Sequence, residues 1–165
     1  MKQEITSKYP KEIIKSIAEN IGMGMVCFLN TGTMETESLL SDSYPVSGDD
    51  EYEALCREIY DKVDSWEHFA RIDPPESRRA YQIMEDFIEN CIPDKDWRTK
   101  YGLMEALSKR KPFQNFKYTI DNSPYRQSWF NFRQIQLEEF VRECLDYHEQ
   151  VGANREKFEN ESDIF

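Results

Sequence analysis

Asp73-Pro74-Pro75-Glu76-Ser77-Arg78-Arg79-Ala80-Tyr81-Gln82-Ile83-Met84-Glu85-Asp86-Phe87-Ile88-Glu89-Asn90-Cys91 decides the fold class, because it joins a helix start to one apolar face. The first four residues offer an acceptor side chain for a cap, prolines where the orphan N–H groups would be, and a carboxylate near the positive end of the helix dipole. Ala80, Ile83, Met84, Phe87, Ile88 and Cys91 then recur at i, i+3, i+4, i+7, i+8 and i+11, with Arg78, Arg79, Gln82, Glu85, Glu89 and Asn90 between them. Such a helix belongs against a core.

Downstream the pattern stays helical. Pro93-Asp94 breaks and recaps the chain, after which Trp97, Tyr101, Met104 and Leu107 stand at helical spacing. Lys111-Pro112 ends that helix and starts another carrying Phe113, Phe116 and Ile120. Ser123-Pro124 repeats the cap-and-proline device before the longest pattern, which uses Trp129, Phe130 or Phe132, Leu137, Phe140, Val141, Cys144 and Leu145. From Gly152 the residues turn polar and acidic, which suits a frayed tail.

Upstream the periodicity changes. Pro10 precedes a short helix with Ile13, Ile14, Ile17, Ala18 and Ile21 on one face and Gly22 as its terminator. Residues 25–29 are a β-prone run, Asn30-Thr31-Gly32 is turn chemistry, and residues 33–40 return as a second strand. Residues 41–50 form a polar loop, and Asp49 or Asp50 caps a helix striped with Tyr52, Leu55, Cys56, Ile59, Tyr60 and Val63. Residues 66–72 alternate, with Trp66, His68, Ala70 and Ile72 on one side, and form a third strand that makes the hairpin stable. The expected fold is α+β, a mostly helical single domain over residues 1–150 with a small three-stranded antiparallel sheet in the N-terminal half. Residues 151–165 are a polar, acidic tail.

At 165 residues, with 39% hydrophobic and 13% aromatic content, the chain can bury a core without staples. Cys27, Cys56, Cys91 and Cys144 form no CxxC pair and have only His68 and His148 as co-ligands, so they read as reduced, buried thiols, with no metal and no cofactor expected. The opening Met1-Lys2-Gln3-Glu4 lacks an apolar signal core and no run approaches a bilayer span, so a cytoplasmic protein without membrane contact is expected. A net charge of −11 excludes bulk attraction to nucleic acid or anionic lipid.

A resemblance becomes visible across these helices. Met84-Glu85-Asp86-Phe87-Ile88, Leu107 leading into Lys111-Pro112-Phe113-Gln114-Asn115-Phe116-Lys117, and Trp129-Phe130-Asn131-Phe132 together resemble the bacterial uncharacterised protein family 0158. Leu29-Asn30-Thr31-Gly32 resembles that family's hairpin. The resemblance spans most of the chain and implies no activity.

Function must therefore be sought in local chemistry. Residues 95–117 hold seven basic side chains (Lys95, Arg98, Lys100, Lys109, Arg110, Lys111, Lys117) against Asp96 and Glu105, a local +5 in a chain of −11. Trp97, Tyr101, Phe113 and Phe116 interleave with them, a composition suited to an anionic partner, nucleic acid or an acidic protein segment. The competing reading is a solvated basic face whose aromatic side chains point inward. Lys109, Arg110, Lys111 and Lys117 bracket the junction of two helices, where cations and free N–H groups of a first turn converge, and are the expected binding residues. A non-enzymatic binding or regulatory module is thus the leading class. A small hydrolase or transferase with a cleft near His68, Arg71 and Asp73 is the alternative, although HExxH, GxSxG and Walker patterns are absent. An exposed basic and aromatic ridge would favour the first, a deep pocket at His68 the second.

Overall fold

The β-prone run from Met25 to Leu29, closed by Asn30 and with five of the six residues buried, makes β1 (Met25–Asn30) the strand on which the sheet is built. The computed structural model describes residues 8–40 and 50–162. In it β2 (Thr36–Leu40) and β3 (Phe69–Ile72) flank β1 in the order β2-β1-β3, both antiparallel to it. The three-stranded sheet expected in the N-terminal half is therefore present. Among the described residues six helices follow, α1 (Lys11–Gly22), α2 (Asp50–Asp64), α3 (Ser77–Cys91), α4 (Trp97–Ser108), α5 (Pro112–Asp121) and α6 (Arg126–Ser162), with a 3-10 turn at Asp94–Asp96. Two compact units result, one made of Pro75–Gln136 and the other of Met1–Pro74 with Leu137–Phe165.

In the sheet unit, the period of two sends alternate β1 side chains to opposite faces, and each face has its own cover. Cys27 and Leu29, beside Ile72 and Ala70 of β3, pack with Ile14, Ile17, Ala18 and Ile21 of α1 and with Leu137, Val141 and Leu145 of α6. Val26 and Phe28, with Leu39 of β2, pack against Val63 of α2, and Cys56, Ile59, Tyr60 and Trp66 close the edge. Lys62 of α2 fastens this second layer, its Nζ lying 2.6 Å from both Glu35 and Glu37. The helical unit is held by a second kind of core, in which Phe87 of α3, Phe116 of α5 and Trp129 of α6 meet edge to face. Ring centres are 5.3 Å apart for Phe87 and Trp129 and 4.8 Å for Phe116 and Trp129.

Several local expectations need correction. Asp73 does not cap α3. The helix begins at Ser77, the two prolines keep the intervening backbone extended, and the Asp73 carboxylate accepts from Arg71 Nη2 at 3.1 Å. Both outer strands are shorter than expected. Residues 31–35 are spent on the turn, where Asn30 Oδ1 accepts from the N–H groups of Gly32 and Thr33 and Met34 takes the left-handed conformation at φ 66°. Trp66 belongs to the turn that ends α2, its N–H donating to the Val63 carbonyl. The left-handed residue after α1 is Gly24, φ 85°, not Gly22. Ser123 closes the α5–α6 turn, donating to the Ile120 carbonyl and accepting from the Tyr125 N–H, and α6 starts three residues later. Helix α6 runs through Gly152 to Ser162, the surrounding Ala, Arg, Glu and Lys residues favouring helix over coil. The loop at 41–49, including the cap expected of Asp49, lies outside the described residues.

Candidate functional site: a basic and aromatic face on the α4–α5 pair

Helix α4 carries two apolar stripes, and only one is spent on the core. Leu103, Ala106 and Leu107 are buried, whereas Trp97, Tyr101 and Met104 are 62%, 67% and 55% exposed. Of the four residues read at helical spacing, Trp97, Tyr101, Met104 and Leu107, only Leu107 is buried. Trp97, Tyr101 and Met104 share one side at i, i+4 and i+7, while Leu103, Ala106 and Leu107 lie roughly a quarter to a half of a turn away. Both sets satisfy helical periodicity, and packing against Phe87 and Phe116 selects the second.

The start of α4 is fixed by polar contacts. Asp96 Oδ1 accepts from the Thr99 N–H at 3.4 Å as an N-cap, and its other oxygen accepts from the Tyr125 hydroxyl at 2.8 Å. The Tyr125 hydroxyl holds the Asp96 carboxyl below its ordinary value, and the carboxylate in turn raises the phenol. Asp94 is lowered by the Lys100 ammonium, 2.8 Å away. On this anchored turn the Arg98 guanidinium sits 5.4 Å from the centre of the Trp97 ring, so cation and aromatic surface are presented together.

The expected binding residues lie at the other end of α4. Lys109, Arg110, Lys111 and Lys117 are all exposed. Lys109 is paired one helical turn back to Glu105 at 3.2 Å, and the other three side chains have no ion pair among the described residues. Lys111 is the N-cap residue of α5 in a left-handed conformation, φ 60° and ψ 56°, which turns the chain sharply into Pro112. The Asn115 amide braces the corner by donating to the Arg110 carbonyl at 2.9 Å, and the Asn115 N–H bonds the Lys111 carbonyl. The corner brings Lys109, Arg110 and Lys111 together as consecutive residues. Lys117 is not gathered with Lys109. Lys109 lines a cavity of about 230 Å³ with Gly102, Glu105, Ala106, Asn115, Tyr118 and Thr119, and Lys117, two residues from both Asn115 and Thr119, lies on the far side of α5. Phe113 is 37% exposed and Tyr118 75%, whereas Phe116 is fully buried. Of the aromatic residues that interleave with the cations in the sequence, Trp97, Tyr101 and Phe113 are exposed and Phe116 is not, and Tyr118, which the sequence reading did not name, adds a further exposed ring.

His68 stands apart from any comparable construction. Its side chain is 76% exposed and among the described residues pairs with Glu67 alone, at 4.0 Å, while Arg71 and Asp73 pair with each other. Cys27 is buried and its thiol is pushed up to about 11 by desolvation, which leaves it un-ionised near neutrality. No helix among the described residues is long and apolar enough to cross a membrane.

The family model described as "Uncharacterised protein family (UPF0158)" matches residues 45–165. Among curated proteins, the UPF0158 protein PA5073 of Pseudomonas aeruginosa is 28% identical over 91 residues, which are 54% of this chain and 58% of that protein. The chain thus spans little more than half the length of the relative it matches. No solved structure matches it.

Proposed function

Since the chain belongs to the uncharacterised protein family UPF0158, whose description names no activity, we propose from its own side chains that it is a cytoplasmic, non-enzymatic binding or regulatory module. It recognises an anionic partner through Lys109, Arg110 and Lys111, with Trp97 and Tyr101 as the apolar part of the contact and Lys117, on the far side of α5, adding only long-range charge. One observation carries this reading: two large aromatic side chains stay about two-thirds exposed on a helix whose other side is well packed, and three consecutive exposed cations follow that helix directly. Aromatic faces beside cations suit stacked bases, each worth roughly 1–3 kcal/mol, and equally suit an acidic segment with apolar residues. The acidic remainder of the chain repels such a partner elsewhere and so fixes where it docks.

Binding is tested against single-stranded RNA, single-stranded DNA and acidic peptides at low and physiological salt. The wild type is expected to bind one of them and to weaken as the screening length falls to about 8 Å. A Lys109→Glu, Arg110→Glu, Lys111→Glu variant should lose that binding with its melting curve intact, because all three side chains are exposed. Trp97→Ala with Tyr101→Ala should weaken binding and reduce its salt dependence less. If the wild type binds none of the probes, or the charge-reversed variant binds as well as the wild type, the face is only solvated surface and the reading fails.

A further inference from the structure

Between α3 and α4, on the opposite flank of α4 from Lys109, lies a cavity of about 410 Å³ lined by Tyr81, Glu85, Ile88, Glu89, Lys100, Met104 and Leu107. We propose that this groove is a binding site for a small organic cation, an ammonium group carried on an apolar or aromatic body. Its volume falls within the range of small-molecule sites, which are mostly apolar with a few convergent polar groups. The floor is apolar: Ile88 and Leu107 are buried side chains of the core, and Met104, 55% exposed, supplies an adaptable wall. Tyr81 is held in place by its hydroxyl, which donates to the Leu107 carbonyl at 3.2 Å and so spans from α3 to the end of α4.

The rim sets the sign of the ligand's charge. Glu85 and Glu89 are one turn apart on α3, and neither carboxylate has an ion pair among the described residues. Lys100, the one cation of the lining, is already committed, with its Nζ 2.8 Å from Asp94 and 3.5 Å from the Glu89 carbonyl. Its ammonium is therefore directed to Asp94 and to a backbone carbonyl and forms no ion pair with either glutamate carboxylate. Two unpaired carboxylates and a fixed tyrosine ring over an apolar floor are complementary to an ammonium, through charge and through the ring face.

The probes are 2-phenylethylamine, 2-phenylethanol and 3-phenylpropionate, which share one apolar body and differ in head-group charge, titrated into the intact chain and followed by amide NMR shifts. The ammonium is expected to bind about tenfold more tightly than the alcohol, the sum of two exposed charge contacts and one ring contact. Shifts should map to α3 and α4, and the carboxylate should not saturate. Glu85→Gln with Glu89→Gln should bring the ammonium to within about twofold of the alcohol while leaving alcohol binding and the melting curve unchanged, since both side chains are exposed. Met104→Trp should fill the groove and abolish both. The proposal is overturned if the amine does not saturate, if its shifts map elsewhere, if the carboxylate or alcohol binds as tightly as the amine, or if the glutamine variant keeps the preference. A basic amphipathic peptide that binds where the amine does not also overturns it, by assigning the groove to a protein partner.

Discussion

Phe87 has no exposed surface and touches two rings of α6, Trp129 at 5.3 Å and Phe132 at 5.5 Å between centres. Phe87→Ala is expected to lower stability by about 3–5 kcal/mol, as truncation of a buried phenylalanine leaves a cavity that neighbours fill only partly. Chemical denaturation with an unshifted midpoint would show that α3 does not depend on that contact. A second residue-scale effect depends on pH. The Tyr9 hydroxyl donates to the Glu149 carboxylate, which also lies 3.4 Å from Lys8. That hydroxyl lowers Glu149 from its ordinary 4.5, whereas burial first and the Glu149 bond second raise Tyr9 from 10.0. A depressed acid stabilises the fold above its unfolded value and loses that contribution as pH falls through the folded one. A raised phenol contributes below its unfolded value and loses that contribution as pH climbs past it. Tyr9→Phe should therefore melt earlier than wild type between about pH 5 and pH 9, with the gap closing in stronger acid. A gap independent of pH would mean that only packing was lost.

At the level of single helices, α4 is the most informative, because its sequence fits two orientations. Gly102 lies in its interior with a helical backbone, and a Cβ built there meets no heavy atom within 4 Å. Gly102→Ala should raise stability by about 0.5–1 kcal/mol through the smaller backbone entropy of the unfolded chain. The same methyl narrows the cavity beside Lys109, so thermal melts and partner binding should move in opposite directions if that cavity is used. Existence and order of the helices were legible because Pro93, Pro112 and Pro124 punctuate runs of unmistakable periodicity. The buried side of α4 was not, since Trp97-Tyr101-Met104 offers large rings and Leu103-Ala106-Leu107 offers aliphatic side chains at equally helical spacing, and packing against Phe87 and Phe116 selects the second. Asp73 misled for a related reason, its cap chemistry being intact but its carboxylate taken by Arg71. The four candidate lysine and arginine positions were visible as charge in the sequence, yet the left-handed turn at Lys111 that sets the corner between α4 and α5 has no sequence signal, since lysine rarely adopts it.

Across the whole chain, α6 contributes to both units, Trp129 and Phe132 to one core and Leu137, Val141 and Leu145 to the other. Melting either core removes packing from a helix the other needs, so residues 1–150 should unfold in a single transition seen alike by tryptophan fluorescence and far-ultraviolet circular dichroism. Two resolved steps would show that each unit holds its share of α6 alone. The division of α6 also bears on how the chain is made. The face of the sheet covered by α1 needs Leu137, Val141 and Leu145 as its remaining cover, and these follow Ile72 by 65 residues or more. At the usual 5–20 residues per second of translation, the 73 residues from Ile72 to Leu145 leave that face waiting roughly 4–15 s with Cys27, Leu29, Ala70 and Ile72 incompletely covered. Residues 75–136 are synthesised entirely within the wait. The middle of the chain can thus complete its core before the beginning does, and the nascent N-terminal layer is the part of this protein that a holding chaperone would shelter.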